Sequence, residues 1–189
     1  MSSCAAEASQ CAADYRNPRH RQTTIIRRVA ERLGRIALRG FYTEELRERG
    51  ERRGFRLVGF NGRARIIAHV DFPKRHRVGK YGVDVQALDE AAALLRPDPD
   101  VRAYLVDEIG KMECLPERIV AAMRALIAGS TPVVASVGAR GGGFIAEVKR
   151  GPGSRLMRRV CPSQSSLRAQ ELLPYARAGM CPNVASQSD

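Results

Sequence analysis

The sequence predicts an α/β protein, a three-layer sandwich around a mainly parallel sheet with an inserted β-hairpin. Three observations carry this expectation. Two short apolar runs, 103–106 and 132–137, break off into polar residues or glycine, as buried parallel strands do where they open onto loops. Stretches with apolar residues at helical spacing alternate with those runs. Asn61-Gly62 stands between two strand-like stretches and is a strong short-range hairpin signal.

Taken in order, residues 1–22 read as an irregular leader with no convincing strand. Ile25, Ile26, Val29 and Leu33 then mark one face of a helix, and Arg27, Arg28, Glu31 and Arg32 the other. Thr23 or Thr24 is expected to cap it and Gly34 to end it. A strand is expected over 36–38. Gly40-Phe41-Tyr42-Thr43-Glu44-Glu45 follows, then a charged loop from Arg47 to Gly54. Residues 55–60 and 63–70 form the hairpin, with Asn61 and Gly62 as the two positive-φ positions of a type I′ turn.

An Ala- and Leu-rich helix is expected from about Val85 to Leu95, stopped by Pro97-Asp98-Pro99-Asp100. Ile119, Val120, Met123, Leu126 and Ile127 predict the next helix, opened by Pro116 and closed by Gly129. The 132–137 strand leads into Gly138-Ala139-Arg140-Gly141-Gly142-Gly143 and a short helix from Phe144 to about Lys149. Residues 155–160 read as an edge strand, Ser166 to Arg177 as a helix, and Cys181 to Asp189 as a loose polar end. The domain reading is therefore a leader (1–22), one folded unit (23–178) and a tail (179–189).

Composition narrows the classes. The 189 residues suit one domain with a sizeable core. The net charge of +12 (32 Lys+Arg against 20 Asp+Glu) attracts anions, nucleotides and nucleic acid included. The cations are mostly Arg and scattered, so a nucleic-acid partner is not favoured on charge alone. The five cysteines form no CxxC pair and no metal-ligand spacing, which predicts a reduced, cytoplasmic protein. No run approaches the roughly 18 apolar residues of a membrane span, and a monomer is expected.

The chemistry concentrates at Ala103-Tyr104-Leu105-Val106-Asp107-Glu108-Ile109-Gly110-Lys111-Met112-Glu113. An apolar strand running into two carboxylates delivers them where ligands bind in open α/β sheets. In nucleotide-hydrolysing proteins such an Asp holds Mg²⁺, and a following Glu can orient or deprotonate the attacking water. A core strand ending in an ordinary acidic turn is the plainer alternative. Gly-rich residues 138–143 can bring backbone amides and Arg140 to a phosphate.

Four segments in order resemble one family. They are Gly40-Phe41-Tyr42-Thr43-Glu44-Glu45, Arg77-Val78-Gly79-Lys80-Tyr81-Gly82-Val83-Asp84, Val106-Asp107-Glu108-Ile109-Gly110-Lys111-Met112-Glu113 and Gly141-Gly142-Gly143-Phe144-Ile145. The chain is similar, from about Thr23 to Arg150, to the thermophile-type and cancer-related nucleoside-triphosphatases, which are P-loop NTPases. The resemblance implies a P-loop NTPase-like domain over 23–178. It implies hydrolysis of nucleoside triphosphates (ATP, GTP and others) to diphosphate and phosphate with Mg²⁺. It implies Glu108 as the catalytic, water-activating residue, and Thr23 and Asp107 as metal ligands. Nucleotide contacts are implied for Gln22, Thr23, Thr24, Tyr104, Leu105, Val106, Asp107, Glu108, Ile109, Gly110 and Lys111, with Lys80, Tyr81 and Arg140 as further ligand-facing residues.

One part of the pattern is different. The family's phosphate loop is G-x-x-x-x-G-K-T, and here its glycines are Arg16 and Arg21 and its lysine is Gln22. The glycines form the backbone nest and the lysine adds a charge between the β- and γ-phosphates. Each charge-assisted hydrogen bond is worth about 1.5–3 kcal/mol, so losing two would weaken nucleotide binding about a hundredfold or more. The break at residue 22 is abrupt, which predicts that residues 1–22 do not represent the ancestral start. Two alternatives to a hydrolase follow: an inactive nucleotide-binding or scaffold protein of the same fold, and a basic nucleic-acid-associated domain.

Overall fold

The computed structural model describes residues 18–34, 37–151, 154–158 and 183–188, the backbone alone for 18–25, 154–158 and 183–188. In chain order come helix α1 (Pro18–Leu33), strands β1 (Leu38–Glu48), β2 (Glu51–Gly59), β3 (Ala64–His69), β4 (Arg77–Val78) and β5 (Tyr81–Val83), and helix α2 (Val85–Ala91) with a 3₁₀ turn (Ala92–Leu95). Strand β6 (Ala103–Ile109), helix α3 (Glu117–Ala128), β7 (Val133–Gly138), α4 (Gly143–Arg150), β8 (Ser154–Arg158) and β9 (Asn183–Ser188) follow.

The described strands form one sheet in the order β4-β5-β3-β2-β1-β6-β7-β9-β8. Four neighbouring pairs are antiparallel, all within β1 to β5. Four are parallel, linking β1, β6, β7, β9 and β8. The α/β class holds, but the sheet is mixed rather than mainly parallel. Strand β1 is the joint: it pairs with β6 through Leu38–Phe41 and with β2 from Phe41 onward.

The apolar runs are continuous because β6 is covered on both faces. Ala103 and Leu105 point to α1, where Ile26, Val29 and Leu33 join Val134 in a small core. Tyr104 and Val106 point the other way, into the larger core with Leu88, Leu95, Ile119, Met123 and Ile145. Helices on both faces of the sheet make the three layers.

The structure revises several expectations. Helix α1 starts at Pro18, so residues 18–22 are helical and Thr23 and Thr24 lie inside the helix, not at its cap. Gly34 does end it, at φ +63°, with its N–H on the carbonyl of Ala30 at 3.1 Å. The loop expected over 47–54 is instead the end of an 11-residue strand, a tight turn at Arg49-Gly50 and the start of β2. Both turn residues have positive φ, 48° and 82°, the demand of a two-residue type I′ turn. The charges hid this hairpin because they pair with one another, Glu44 with Arg56 and Glu45 with Arg47 and Arg52.

The Asn61-Gly62 hairpin exists with a different turn. Only Gly62 has positive φ, and its N–H reaches Gly59 O at 2.9 Å, with Gly59 N to Arg63 O at 2.8 Å. That is the three-residue hairpin loop closed by a left-handed glycine. The tail read as loose contributes β9, which lies between β7 and β8. Residues 154–158 do form the outermost strand. The leader over 1–17 and the helix expected at 166–177 lie outside the described residues.

Candidate active site

The parallel strands converge at one edge of the sheet, and the carboxylates stand there. Val106 lies opposite Ala135, but Ile109 lies opposite Val137, so three steps along β6 match two along β7. The extra residue makes a bulge at Asp107-Glu108 that lifts both out of regular pairing, a device that re-aims side chains. The bulge also reverses the alternation, so Ile109 rather than Glu108 continues the large core after Tyr104 and Val106.

Asp107 is 2% exposed and accepts a hydrogen bond from the hydroxyl of Ser136 on the neighbouring strand. Burial of a carboxylate is costly without such donors. Glu108 is half-buried, its Oε1 lying where a side chain on Gly138 would have to go, 3.2 Å from that position. After the strand the chain turns back through Gly110 to Cys114, closed by Cys114 N to Gly110 O at 3.1 Å. The buried carboxylate of Glu113 accepts the Gly110 N–H at 3.2 Å. A Cβ on Gly110 would meet Glu113 Oε2 at 2.8 Å and Glu108 Oε1 at 3.3 Å, so both acids face the bare α-carbon of one glycine.

Beyond β7 the glycine-rich loop forms the next wall. Gly141 has φ +157°, and a Cβ there would strike Ile145 Cδ1 at 2.5 Å. Gly143 opens α4 at φ +55°. Lys149 reaches back to donate to Ala139 O at 2.5 Å, tying the loop to the helix it precedes. Arg140 is exposed on this loop.

Helix α1 runs against the parallel strands, ending at Gly34 just before β1 begins level with Ala103. Arg27 lies 3.8 Å from Glu44 and 5.5 Å from the Tyr42 ring, residues just past the Phe41–Val106 pair. The backbone of Gln22, Thr23 and Thr24 is therefore about one helical turn further toward the carboxylate edge. Their side chains lie outside the described set.

The remaining expected residues divide. Tyr104, Leu105 and Val106 have no exposed surface, and the Tyr104 hydroxyl donates to Arg96 O at 2.6 Å. Their side chains are enclosed in the core and hold the strand. Ile109 is likewise core, and the Gly110 N–H is already engaged by Glu113, while Lys111 is exposed. Tyr81 is buried, its hydroxyl accepting from Arg52 Nε at 2.8 Å, with Lys80 Nζ 5.6 Å from its ring. Burial opposes the charge on Arg52, but hydrogen bonds from it to Glu45 and Tyr81 prevail and raise its pKa. Burial, then the nearby Glu113 charge, pushes the Cys114 thiol up to about 12.

Ser136 and Glu113 were not assigned roles from sequence. A lone Ser in an otherwise apolar strand was the available signal for the first, and an acid closing a Gly-x-x-Glu turn for the second.

An open sheet with helices on both faces and acids at its parallel strand ends defines the α/β nucleotide-site class. Residues 17–171 match the NTPase family, and the chain belongs to it. It is 34% identical to nucleoside-triphosphatase THEP1 of Thermotoga sp. (strain RQ2) over 130 residues, 68% of this chain and 74% of that one. Human cancer-related nucleoside-triphosphatase is 36% identical over 124 residues, 59% of this chain and 64% of its own. Among solved structures, Aquifex aeolicus THEP1 superposes with a TM-score of 0.71 at 30% identity, covering 80% of this chain and 90% of that one. The solution structure of the human protein gives 0.69 at 25%, covering 83% and 92%.

Proposed function

We propose that the chain is a Mg²⁺-dependent nucleoside-triphosphate phosphohydrolase, releasing diphosphate and phosphate, with Glu108 as the residue that activates water. The observation that carries this reading is the bulge that turns Asp107 and Glu108 out of β6, beside Gly138 and the 139–143 loop. Glu108 stands on the open side of the bulge, where it can accept a proton from a water aligned with the terminal phosphate. Arg140 and Lys111 on the adjoining loops can neutralise charge on the phosphates.

The residues fit a magnesium ion. Mg²⁺ in such sites takes one or two protein oxygens and completes its shell with water and phosphate. Asp107 would hold the ion, with its carboxylate oriented by Ser136, and the Thr23 hydroxyl would join it. The ion supplies charge for the developing phosphate oxygens.

A second reading is nucleotide binding without turnover. The observation in its favour is that residues 18–22, where a phosphate loop would precede Thr23, are helical. Hydrolysis of Mg²⁺-ATP and calorimetric binding, measured on the full chain and on Glu108→Gln, separate the two. Turnover that falls at least about a hundredfold in the variant while binding persists supports the hydrolase. Binding with no turnover in either protein supports the second reading, and turnover equal in both removes Glu108 from its role.

Cytoplasmic location and a monomeric state belong to the same proposal. Cys114 is a free thiol, and the exposed large apolar side chains among the described residues are Ile66 and Leu115 alone. No described helix is long and apolar enough to cross a membrane.

A further inference from the structure

Outside the ion pairs, exposed cations such as Arg49, Arg63, Arg96, Arg102, Arg118 and Arg140 stand singly, whereas one loop gathers several in a row. On the β1–β2 hairpin most arginines are matched, Arg47 and Arg52 with Glu45, Arg56 with Glu44, and Arg53 with Glu48 and Asp71, while Arg49 stands alone at the turn without an ion pair among the described residues. Residues 70–80, between β3 and β5, differ. Lys74, Arg75, His76 and Arg77 are consecutive and all exposed. Among the described residues no carboxylate forms an ion pair with Lys74, Arg75 or Arg77. Arg77 donates from Nε to Gly79 O at 2.9 Å, a contact that orients it without cancelling its charge.

The position of this loop matters as much as its charge. Strand β3 runs parallel to β1 and β6, since two antiparallel pairings separate β1 from β3. The loop leaves the end of β3 after His69, at the same edge of the sheet as Asp107 and Glu108, three strands from β6 and level with Leu46, five residues beyond the Phe41–Val106 pair. Its base is fixed by Val83 N to His76 O at 2.8 Å and by the β4–β5 pairing of Arg77 with Gly82.

We infer that Lys74, Arg75 and Arg77 form a docking surface for the phosphodiester backbone of single-stranded nucleic acid, on the same edge of the sheet as the proposed nucleotide site. A triphosphate is compact and would be met by the residues at the strand ends. Cations strung along an exposed loop whose one acid, Asp71, is already taken by Arg53 suit successive phosphates of a polyanion instead. The strand would track along this loop toward the carboxylate edge. Few aromatic side chains are available for base stacking, so binding rests on backbone charge and carries little sequence preference.

The inference is independent of hydrolysis and is tested by binding alone. Fluorescence anisotropy of labelled 20-nucleotide oligo-U and oligo-dT is followed with the full chain from 50 to 200 mM salt, without magnesium. Both oligonucleotides are expected to bind at low salt, with log K falling linearly against log salt. Lys74→Ala/Arg75→Ala/Arg77→Ala is expected to reduce that slope by about 2, at about 0.7 per phosphate contact. Arg118→Ala, an exposed cation on α3, serves as the control and should leave it unchanged. Circular dichroism melts establish that the triple variant is folded. Preference for oligo-U over oligo-dT would assign the strand as RNA, and equal binding a general single-strand surface. Failure of the folded full chain to bind either oligonucleotide at 50 mM salt overturns the inference, as does an unchanged slope in the triple variant. Complete displacement by equimolar ATP also overturns it, since the strand would then occupy the nucleotide site.

Discussion

Asp107 is a buried acid that accepts a hydrogen bond from the hydroxyl of Ser136 on the next strand. Removing that donor takes one hydrogen bond away from a buried carboxylate, and a hydrogen bond to a charged group is worth about 1.5–3 kcal/mol. Ser136→Ala should therefore lower the free energy of unfolding by roughly that amount, read from urea denaturation. Ser136→Thr restores the hydroxyl but adds a methyl to a fully buried position, so recovery should be partial. Cys114 gives a pH-dependent companion. Its thiol ionises near 9.0 when unfolded and near 12 when folded, because burial and then Glu113 disfavour the thiolate. The unfolded chain sheds its proton first, so this group's contribution to stability is intact below pH 9 and declines as pH rises from 9 toward 12. Titrating melting temperature over that window, with Cys114→Ser as reference, measures it; a flat difference between the two proteins would contradict the assignment. Sequence shows the acids, whereas the lone serine in the 132–137 run does not show what it pairs with. Its partner lies 29 residues away in the chain.

At the scale of elements, β1 decides whether the two halves of the sheet are one. Gly40 sits at φ +112°, and a Cβ there would stand 2.0 Å from the carbonyl oxygen of Leu105 on β6. No rotamer relieves a clash with backbone. Gly40→Ala should break the β1–β6 ladder and cost at least about 4 kcal/mol, enough to leave little soluble folded protein. A variant with a melting temperature near the parent's would show that the close approach is not required. The elements legible from sequence are those with an apolar pattern or a turn signal: the helices α1 to α4, strands β6 and β7, the hairpin of residues 55–60 and 63–70, and the edge strand β8. Most of β1 and the first half of β2 are not, because their register is stabilised by Glu–Arg pairs across the ladder that read along the chain as a charged loop. The turn at 59–63 shows the same limit. Asn-Gly announced a hairpin, yet whether two or three residues close it depends on how the flanking strands are paired.

For the molecule as a whole, the parallel half depends on a strand from the far end of the chain. Strand β9 pairs with β7 from Val184 to Ser188 and with β8 from Asn183 to Gln187, so it is interior to the sheet. Removing residues 183–188 leaves β7 with an unpaired edge and β8 with no neighbour among the described strands. At about 0.5–1.5 kcal/mol per net hydrogen bond, losing two ladders costs several kcal/mol. The melting temperature should then fall by about 10 °C or more for a domain of this size. A truncation that melts within about 2 °C of the full chain would show that the strand is dispensable.

Sequence by itself determined the α/β class, the family, and the placing of Asp107 and Glu108 at the end of a buried strand. These follow from local signals: apolar runs, helical spacing and a contiguous motif. Tertiary structure decided the rest. It made the sheet half antiparallel, brought residues 183–188 into its interior, supplied Ser136 to Asp107, and turned a scattered basic composition into a paired hairpin beside an uncompensated loop at 74–77. The physical reason is common to all four. Strand neighbours and ion-pair partners are chosen in space, between residues far apart in the chain, and a linear pattern records each partner without recording the pairing.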